Sequence, residues 1–404
     1  MSGLLDTLRV VDLSSGPLAY CGRMLADLGA DVVLVEPPGG DAARRAPPVR
    51  ELASGEKLSA VFAFTAAGKR SVTLDLARRE GLDALARLLD RADAVITTAP
   101  PGIPQPPGPQ VPGHQELAGR HPRLIIASIT PYGLRGPRRG WRGSDLIAWA
   151  SSGVMPAYGD PDRAPLAPRG GLALAAGALN AVMGIVLALE AREQTGRGQL
   201  LDISLQEAVL SVSLELSPVL AADNGVMAKR VGKRRPTPPM GQYRTRDGAV
   251  MIVAYTPWQW AALAEWIRAE TGIDEATSDR YHGTPADRAP YAAQLDQWVE
   301  MLTSRYGKQE FAEEAQRRGV PVCPVNTLAD VLHDPHLAAT GGWAAVTSPG
   351  GSQVRLPAPP LSVDGAPLPA GAIPGIGEHN AEIIAGELGL GADDDAGGTG
   401  AGAA

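Results

Sequence analysis

The 404-residue chain carries only two cysteines, Cys21 and Cys323, far apart and outside any CxxC or Cys/His cluster. That scarcity excludes a disulfide scaffold, gives no ligand set for a structural metal and suits a reducing compartment. Aromatic residues make up only 4% of the chain, and positive charge is in deficit: 37 lysines and arginines face 44 aspartates and glutamates, for a net charge of −7. No basic stripe is interleaved with aromatics, so nucleic-acid binding has no electrostatic basis. The opening MSGLLDTLRVVDLSS lacks the positive stretch and apolar run of a secretion signal, which makes the cytoplasm the expected location. No internal repeat is visible.

What is present is an alternation of strand and helix signals over a length that favours two domains. LRVVDL (8–13) reads as a strand, SSGP (14–17) as a turn, LAYCGRMLADLG (18–29) as a helix closed by Gly29, and ADVVLVE (30–36) as a second strand. Further strands are expected at 71–76, 92–98 and 123–130, with a helix at 78–91 whose Leu82, Leu85, Leu88 and Leu89 share a face. The proline-rich 100–113 and the Gly/Arg/Pro-rich 132–143 are loops. Together these predict an α/β fold, a doubly wound, Rossmann-like parallel sheet covered by helices.

Leu172 to Ala191 is a long apolar run, about five helical turns, interrupted by Gly177 and Gly184. Its small residues and the lack of flanking anchors argue for a buried helix over a membrane span. LLDIS (200–204) follows as a strand, then a helix over 205–223 that leaves the domain and a basic connector at 227–239. A smaller α+β domain comes next, opened by a hairpin over 243–254 that turns at Asp247-Gly248 and closed by the strand 320–326. The expected division is a large domain over 1–223, a small domain with its connector over 224–327, a return to the large domain over 328–390 and a disordered tail over 391–404.

LADLGADVVLVEPPGGD (25–41), GKRSVTLDL (68–76), YGLRGP (132–137), GSDLIAWASSGVM (143–155), TGRGQLLDISLQEA (195–208), RDGAVMIVA (246–254), VPVCPVNTLADVLHDPHL (320–337) and PGIGEHNAEII (374–384) occur in that order. Taken together they resemble the class III CoA-transferase family of the CaiB/BaiF type, which includes formyl-CoA transferases, carnitine CoA-transferases and α-methylacyl-CoA racemases. The resemblance spans nearly the whole chain. It implies a large α/β domain built from both ends of the sequence, a small α+β domain between them, a substrate cleft between the two, and a homodimer of interlocked chains. It also implies CoA or acyl-CoA as substrate. In the transferases an aspartate attacks the thioester to form a mixed anhydride; in the racemases the equivalent aspartate works with a histidine on the proton next to the carbonyl.

That aspartate belongs to the first turn of the long apolar helix. Counting back from Gly184-Ile185 puts Leu174 in its place; its neighbours are Ala173, Ala175 and Ala176, and residues 166–189 include no acid. Leucine neither attacks nor carries a proton. The racemase histidine is replaced by Ser144, the family's acidic-Asn-Phe turn by Thr97-Thr98-Ala99, and the arginine after the strand-ending glutamate by Pro37. Lys69, Arg70 and Arg135 remain as candidate phosphate contacts, and Ser15 with Gly16 stands where an anion can approach a helix start, as does Ser14.

Asp145 is a weak catalytic candidate whose place before a helix suits a cap. His379 with Glu378 suits the start of the C-terminal helix, and His336 with Asp334 a helix turn; neither is spaced for a metal, and none is expected. Cys21 is either a nucleophile or, more commonly for its type, a buried thiol. Tyr132, Trp141 and Trp149 can line a cleft or be core. Three functional readings follow: an enzyme of the family fold with chemistry that does not use an acyl-aspartate; a non-catalytic subunit partnered by a homologue that supplies the aspartate; or a transferase using another carboxylate, Asp145, Asp160 or Asp162.

Overall fold

The computed structural model describes residues 3–98, 113–212 and 238–390. The proline-rich loop at 100–112, the later part of the helix expected over 205–223, nearly all of the connector and the tail at 391–404 lie outside those residues. The described residues form two compact units: those within Met1–Val154, Ala167–Ser217 and Pro335–Ala404 make one, and those within Met155–Leu166 and Pro218–Asp334 the other. The second unit therefore takes in 155–166, which the sequence reading left with the first.

The first unit is built on six strands: β1 (Arg9–Asp12), β2 (Asp31–Glu36), β3 (Arg70–Thr73), β4 (Ala94–Thr97), β5 (Ile125–Thr130) and β6 (Leu200–Ser204). They are all parallel, in the order β3-β2-β1-β4-β5-β6. The chain thus winds outward from β1 on one side and then on the other, and the order reverses between β1 and β4. Alternate side chains leave opposite faces of a strand. Val11, Val33, Val72, Val95 and Ile126 meet Leu85, Leu88, Leu117, Ile383 and Ile384, whereas Leu34 meets Phe62, Ala63 and Ala66. With both faces covered, the strands are continuous β-branched runs instead of alternating ones.

The helices that matter to the site are α1 (Tyr20–Asp27), α2 (Ala60–Ala66), α3 (Arg79–Leu89), α4 (His114–Arg120), α5 (Asp145–Ser151), α6 (Leu172–Thr195) and α7 (Leu205–Ser211). The expectation of a wholly buried α6 is corrected. Ala173, Ala181, Ile185 and Ala188 are buried, and a Cβ at Gly177 would overlap Leu205, so that face packs closely. The opposite face leaves Leu179 55%, Met183 57% and Leu187 63% exposed.

The C-terminal segment is tied to β3. Gly377 N donates to Ser71 Oγ at 2.9 Å, Ser71 N donates to His379 Nδ1 at 3.2 Å, His379 N donates to Ser71 O at 3.0 Å and Thr73 N donates to Asn380 Oδ1 at 2.9 Å. Glu378 in turn accepts from Gly375 N at 2.7 Å. His379 and Glu378 are thus occupied in holding backbone.

The second unit has an antiparallel sheet of β7 (Met240–Thr245), β8 (Gly248–Val253) and β9 (Val322–Pro324), in the order β9-β8-β7. Its hairpin turns at Arg246-Asp247, one residue earlier than expected, because Gly248 already pairs with Thr245. The scarce aromatics gather here: Trp260, Trp266, Tyr281 and Phe311 are fully buried. Arg288, also fully buried, donates to the carbonyls of Pro238, Gly283, Ala254 and Tyr255.

At the carboxyl end of β1, Lys69 Nζ lies 2.7 Å from Asp12 Oδ2 and 2.6 Å from the carbonyl oxygen of Ala19, and both charged side chains are fully buried. Ser14 donates to the other carboxylate oxygen from both its hydroxyl and its amide. Gly22 is required beside them, since a Cβ there would overlap Asp12 Oδ2. Removing one member of such a pair strands a buried charge. Lys69→Met should therefore lower the unfolding free energy by about 3–5 kcal/mol in a denaturant titration; a loss below about 1 kcal/mol would show that the pair does not hold β1 to α1.

Candidate functional site

The start of α6, where the family resemblance places its carboxylate, is reached through Gly170 and Gly171, whose φ values of +95° and +74° are left-handed. Leu172 is half exposed, Ala173 is buried, and Leu174 and Ala175 are half-buried. Among the described residues, the carboxylate bonded to this turn comes from outside it. Asp145 Oδ1 accepts hydrogen bonds from Ala173 N at 2.8 Å and Leu174 N at 3.4 Å. Ser144 Oγ caps Asp145's own helix, α5, by accepting from Ile147 N at 3.5 Å. Asp145 is therefore a cap, but for α6 and across 28 residues of chain.

Beside this turn lies a cavity of about 430 Å³, walled by Tyr20, Val61, Phe64, Thr65, Gly171 and Ala175 among others. Tyr20 and Phe64 are stacked, with ring centroids 5.2 Å apart. Arg23, 1% exposed, fixes that wall: its Nη1 donates to Phe64 O at 3.0 Å and its Nε to Asp27 Oδ1 at 2.6 Å. Thr65 spends its hydroxyl on Val61 O at 2.9 Å.

The cations singled out in the sequence do not converge here, and two of the assignments are corrected. Lys69 is sealed against Asp12 and cannot reach a phosphate. Arg70 spans Asp31, Glu382 and Glu387; partial burial works against its charge, yet the bonds to Asp31 and Glu387 prevail and push its pKa up. Arg135 is exposed, 3.8 Å from Asp202, and lines a separate hollow with Asp202, Ser204 and Glu207. Ser15 Oγ donates to Asp41 Oδ1 at 2.8 Å. Gly16, at a φ of +61°, opens the short turn Gly16–Ala19 that leads to the cavity wall.

The other candidates also resolve into packing. Cys21 is fully buried, and burial together with the neighbouring Asp12 carboxylate pushes its thiol pKa up, which makes it inert as a nucleophile. Tyr132 and Trp141 meet edge to face at 5.9 Å on the surface, while Trp149 is buried in α5. Thr97, at the altered Asn-Phe turn, shares a 3.2 Å hydrogen bond with His114 Nε2. Asp160 and Asp162 are exposed in the second unit. Asp334 and His336 flank Pro335 at the start of the short helix Pro335–Thr340. Among the described residues no three His, Cys, Asp or Glu side chains gather to hold a metal.

Sequence reasoning missed a second polar cluster. Glu36, fully buried, accepts from Asp41 N at 2.7 Å, from Arg44 Nε and Nη2 at 2.7 and 2.6 Å, and from Ser71 Oγ at 2.6 Å. Arg44 also donates to Pro374 O at 3.1 Å and lies 3.9 Å from the centre of the Phe62 ring. With Pro37 in the next position, Glu36 finds its guanidinium eight residues on. An acid ending an otherwise apolar strand was the available signal.

The profile of CoA-transferase family III matches residues 5–380. The chain is 33% identical to succinyl-CoA:mesaconate CoA-transferase of Haloarcula marismortui over 95% of its own length and 96% of that protein. It is 30% identical to the succinyl-CoA–L-malate CoA-transferase alpha subunit of Chloroflexus aurantiacus, over 87% of this chain and 81% of that one. A CaiB/BaiF family protein from Brucella suis superposes with a TM-score of 0.82 at 30% identity, covering 95% of this chain and 99% of that one. The chain belongs to CoA-transferase family III.

As a cap, Asp145 should matter through its acceptor oxygen. Asp145→Ala is expected to cost about 1 kcal/mol of stability and Asp145→Asn distinctly less, because an amide oxygen still accepts. Denaturant midpoints check this; an unchanged midpoint for the alanine variant would remove the capping role.

Proposed function

We propose that the chain handles an acyl thioester, or a related acyl substrate, without ever carrying the acyl group on an aspartate. The observation that carries this reading is the first turn of α6, where Ala173, Leu174 and Ala175 supply no nucleophile and the one carboxylate among the described residues bonded to the turn, Asp145, has an oxygen committed to two backbone amides. Membership of a family whose named relatives act on succinyl-CoA supports the thioester as the ligand class. In this reading the acyl group is bound and presented, and no anhydride with the chain intervenes. Asp145, Asp160 and Asp162 are disfavoured as substitutes, the first by its capping bonds and the others by their place on an exposed segment.

The test is covalent trapping. Incubation with a panel of acyl-CoAs followed by hydroxylamine should yield no hydroxamate and no mass increment on the protein. An acyl adduct on any carboxylate would overturn the reading in favour of a relocated nucleophile.

A second reading, a non-catalytic subunit beside an aspartate-bearing homologue, is supported by the likeness to a relative named as an alpha subunit. Both readings need a partner chain, and we infer that the first is met by a second copy in the interlocked dimer that the resemblance implies. The apolar outer face of α6, with Leu179, Met183 and Leu187 exposed, supports burial against another chain. Sedimentation should give a dimer. Leu187→Glu should weaken it more than about tenfold, the effect of burying an unpaired carboxylate; a monomeric parent chain would remove the self-association.

A further inference from the structure

We infer that the cavity between α1, α2 and the start of α6 is an acyl pocket selective for uncharged apolar groups, aliphatic or aromatic, with the Tyr20–Phe64 pair as its specificity-determining wall. The inference rests on the acyl-substrate reading above and names the substrate class. At about 430 Å³ the cavity has the size of a small-ligand site. Its walls are mostly rings and aliphatic carbons, with the hydroxyls of Tyr20 and Thr65 as the side-chain polar groups, and among the described residues that line it none is charged. The hydroxyl of Thr65 already has its acceptor in Val61 O.

Two buried cations stand behind this wall, and neither can turn toward a ligand. Arg23 is held by Asp27 and the Phe64 carbonyl, and Lys69 by Asp12 and the Ala19 carbonyl. A dicarboxylic acyl group would therefore enter with a carboxylate that finds no counter-charge among the described residues lining the cavity, a desolvation that mostly apolar walls do not offset. An alkyl chain or a phenyl ring has no such penalty, and a ring can pack against the fixed Tyr20–Phe64 stack. Gly171 and Ala175 leave open the volume that larger residues would fill, at the turn where the resemblance expects an acid. The relatives named for succinyl-CoA act on a dicarboxylic acyl group; this cavity points to a different class.

The experiment uses thioesters of N-acetylcysteamine, which present the acyl group without the nucleotide, titrated calorimetrically into the full-length protein beside free CoA. Butyryl, hexanoyl and phenylacetyl thioesters should bind, with affinity rising about fourfold per added methylene, and the succinyl thioester should bind at least about tenfold more weakly than the hexanoyl one. Ala175→Phe should fill the cavity and reduce hexanoyl binding at least about tenfold; Val61→Phe fills it from α2 if the first variant does not fold. Tighter binding of the succinyl thioester, no dependence on chain length, or unchanged binding in a folded filled variant would each overturn the pocket. Binding of CoA without discrimination among the acyl groups would sink the pocket and leave the thioester reading standing. Binding of the apolar thioesters without CoA would do the reverse, keeping the pocket and removing CoA as the carrier.

Discussion

Two charges removed from water at the carboxyl end of β1 fix how the first unit is assembled. Asp12 and Lys69 come from different strand–helix units, and neither can be buried without the other. Because Lys69 also reaches the Ala19 carbonyl and Ser14 completes the carboxylate, the turn after β1, the start of α1 and the approach to β3 are set by one cluster. Glu36 repeats the arrangement one strand over, joining Asp41, Arg44 and Ser71, and Ser71 passes the tie on to Gly377 in the C-terminal segment. In a sheet covered on both faces, such satisfied polar clusters choose one register among many apolar ones.

This economy has a consequence for function. Lys69 and Arg70, which sequence assigns to phosphates, are held by acids of the fold, and one oxygen of Asp145 is held by two amides at the start of α6. What the first unit leaves unspent beside that turn is apolar volume, bounded by an aromatic pair that a buried arginine holds in place. Such a surface suits contact with carbon skeletons, and this is the feature on which the proposed binding and presentation of an acyl group rests.

The strands, their types and the family were legible because they depend on local pattern: β-branched runs such as VVDL and DVVLVE pack on both faces whatever lies beyond them. The acid-free run around Leu174 was legible for the same reason, since residue type needs no tertiary context. Partners were not. Lys69 and Arg70 are adjacent cations in one motif, yet one faces Asp12 in the interior and the other bonds Asp31 and, across more than three hundred residues, Glu382 and Glu387. The hairpin slip at Arg246-Asp247 and the half-exposed α6 were hidden alike, because register and face depend on which element arrives opposite.

Sequence alone therefore determined the α/β class, the family and the lack of any acid over residues 166–189, all properties carried by residue type and short-range spacing. Tertiary structure alone decided that Asp145 caps a distant helix, that Lys69 is sealed against a buried acid while Arg70 bridges three partly exposed ones, and that an apolar cavity adjoins the first turn of α6. The physical reason is that a charge or a cavity acquires its role from the groups it faces. Those groups are brought together only when the sheet closes over its core.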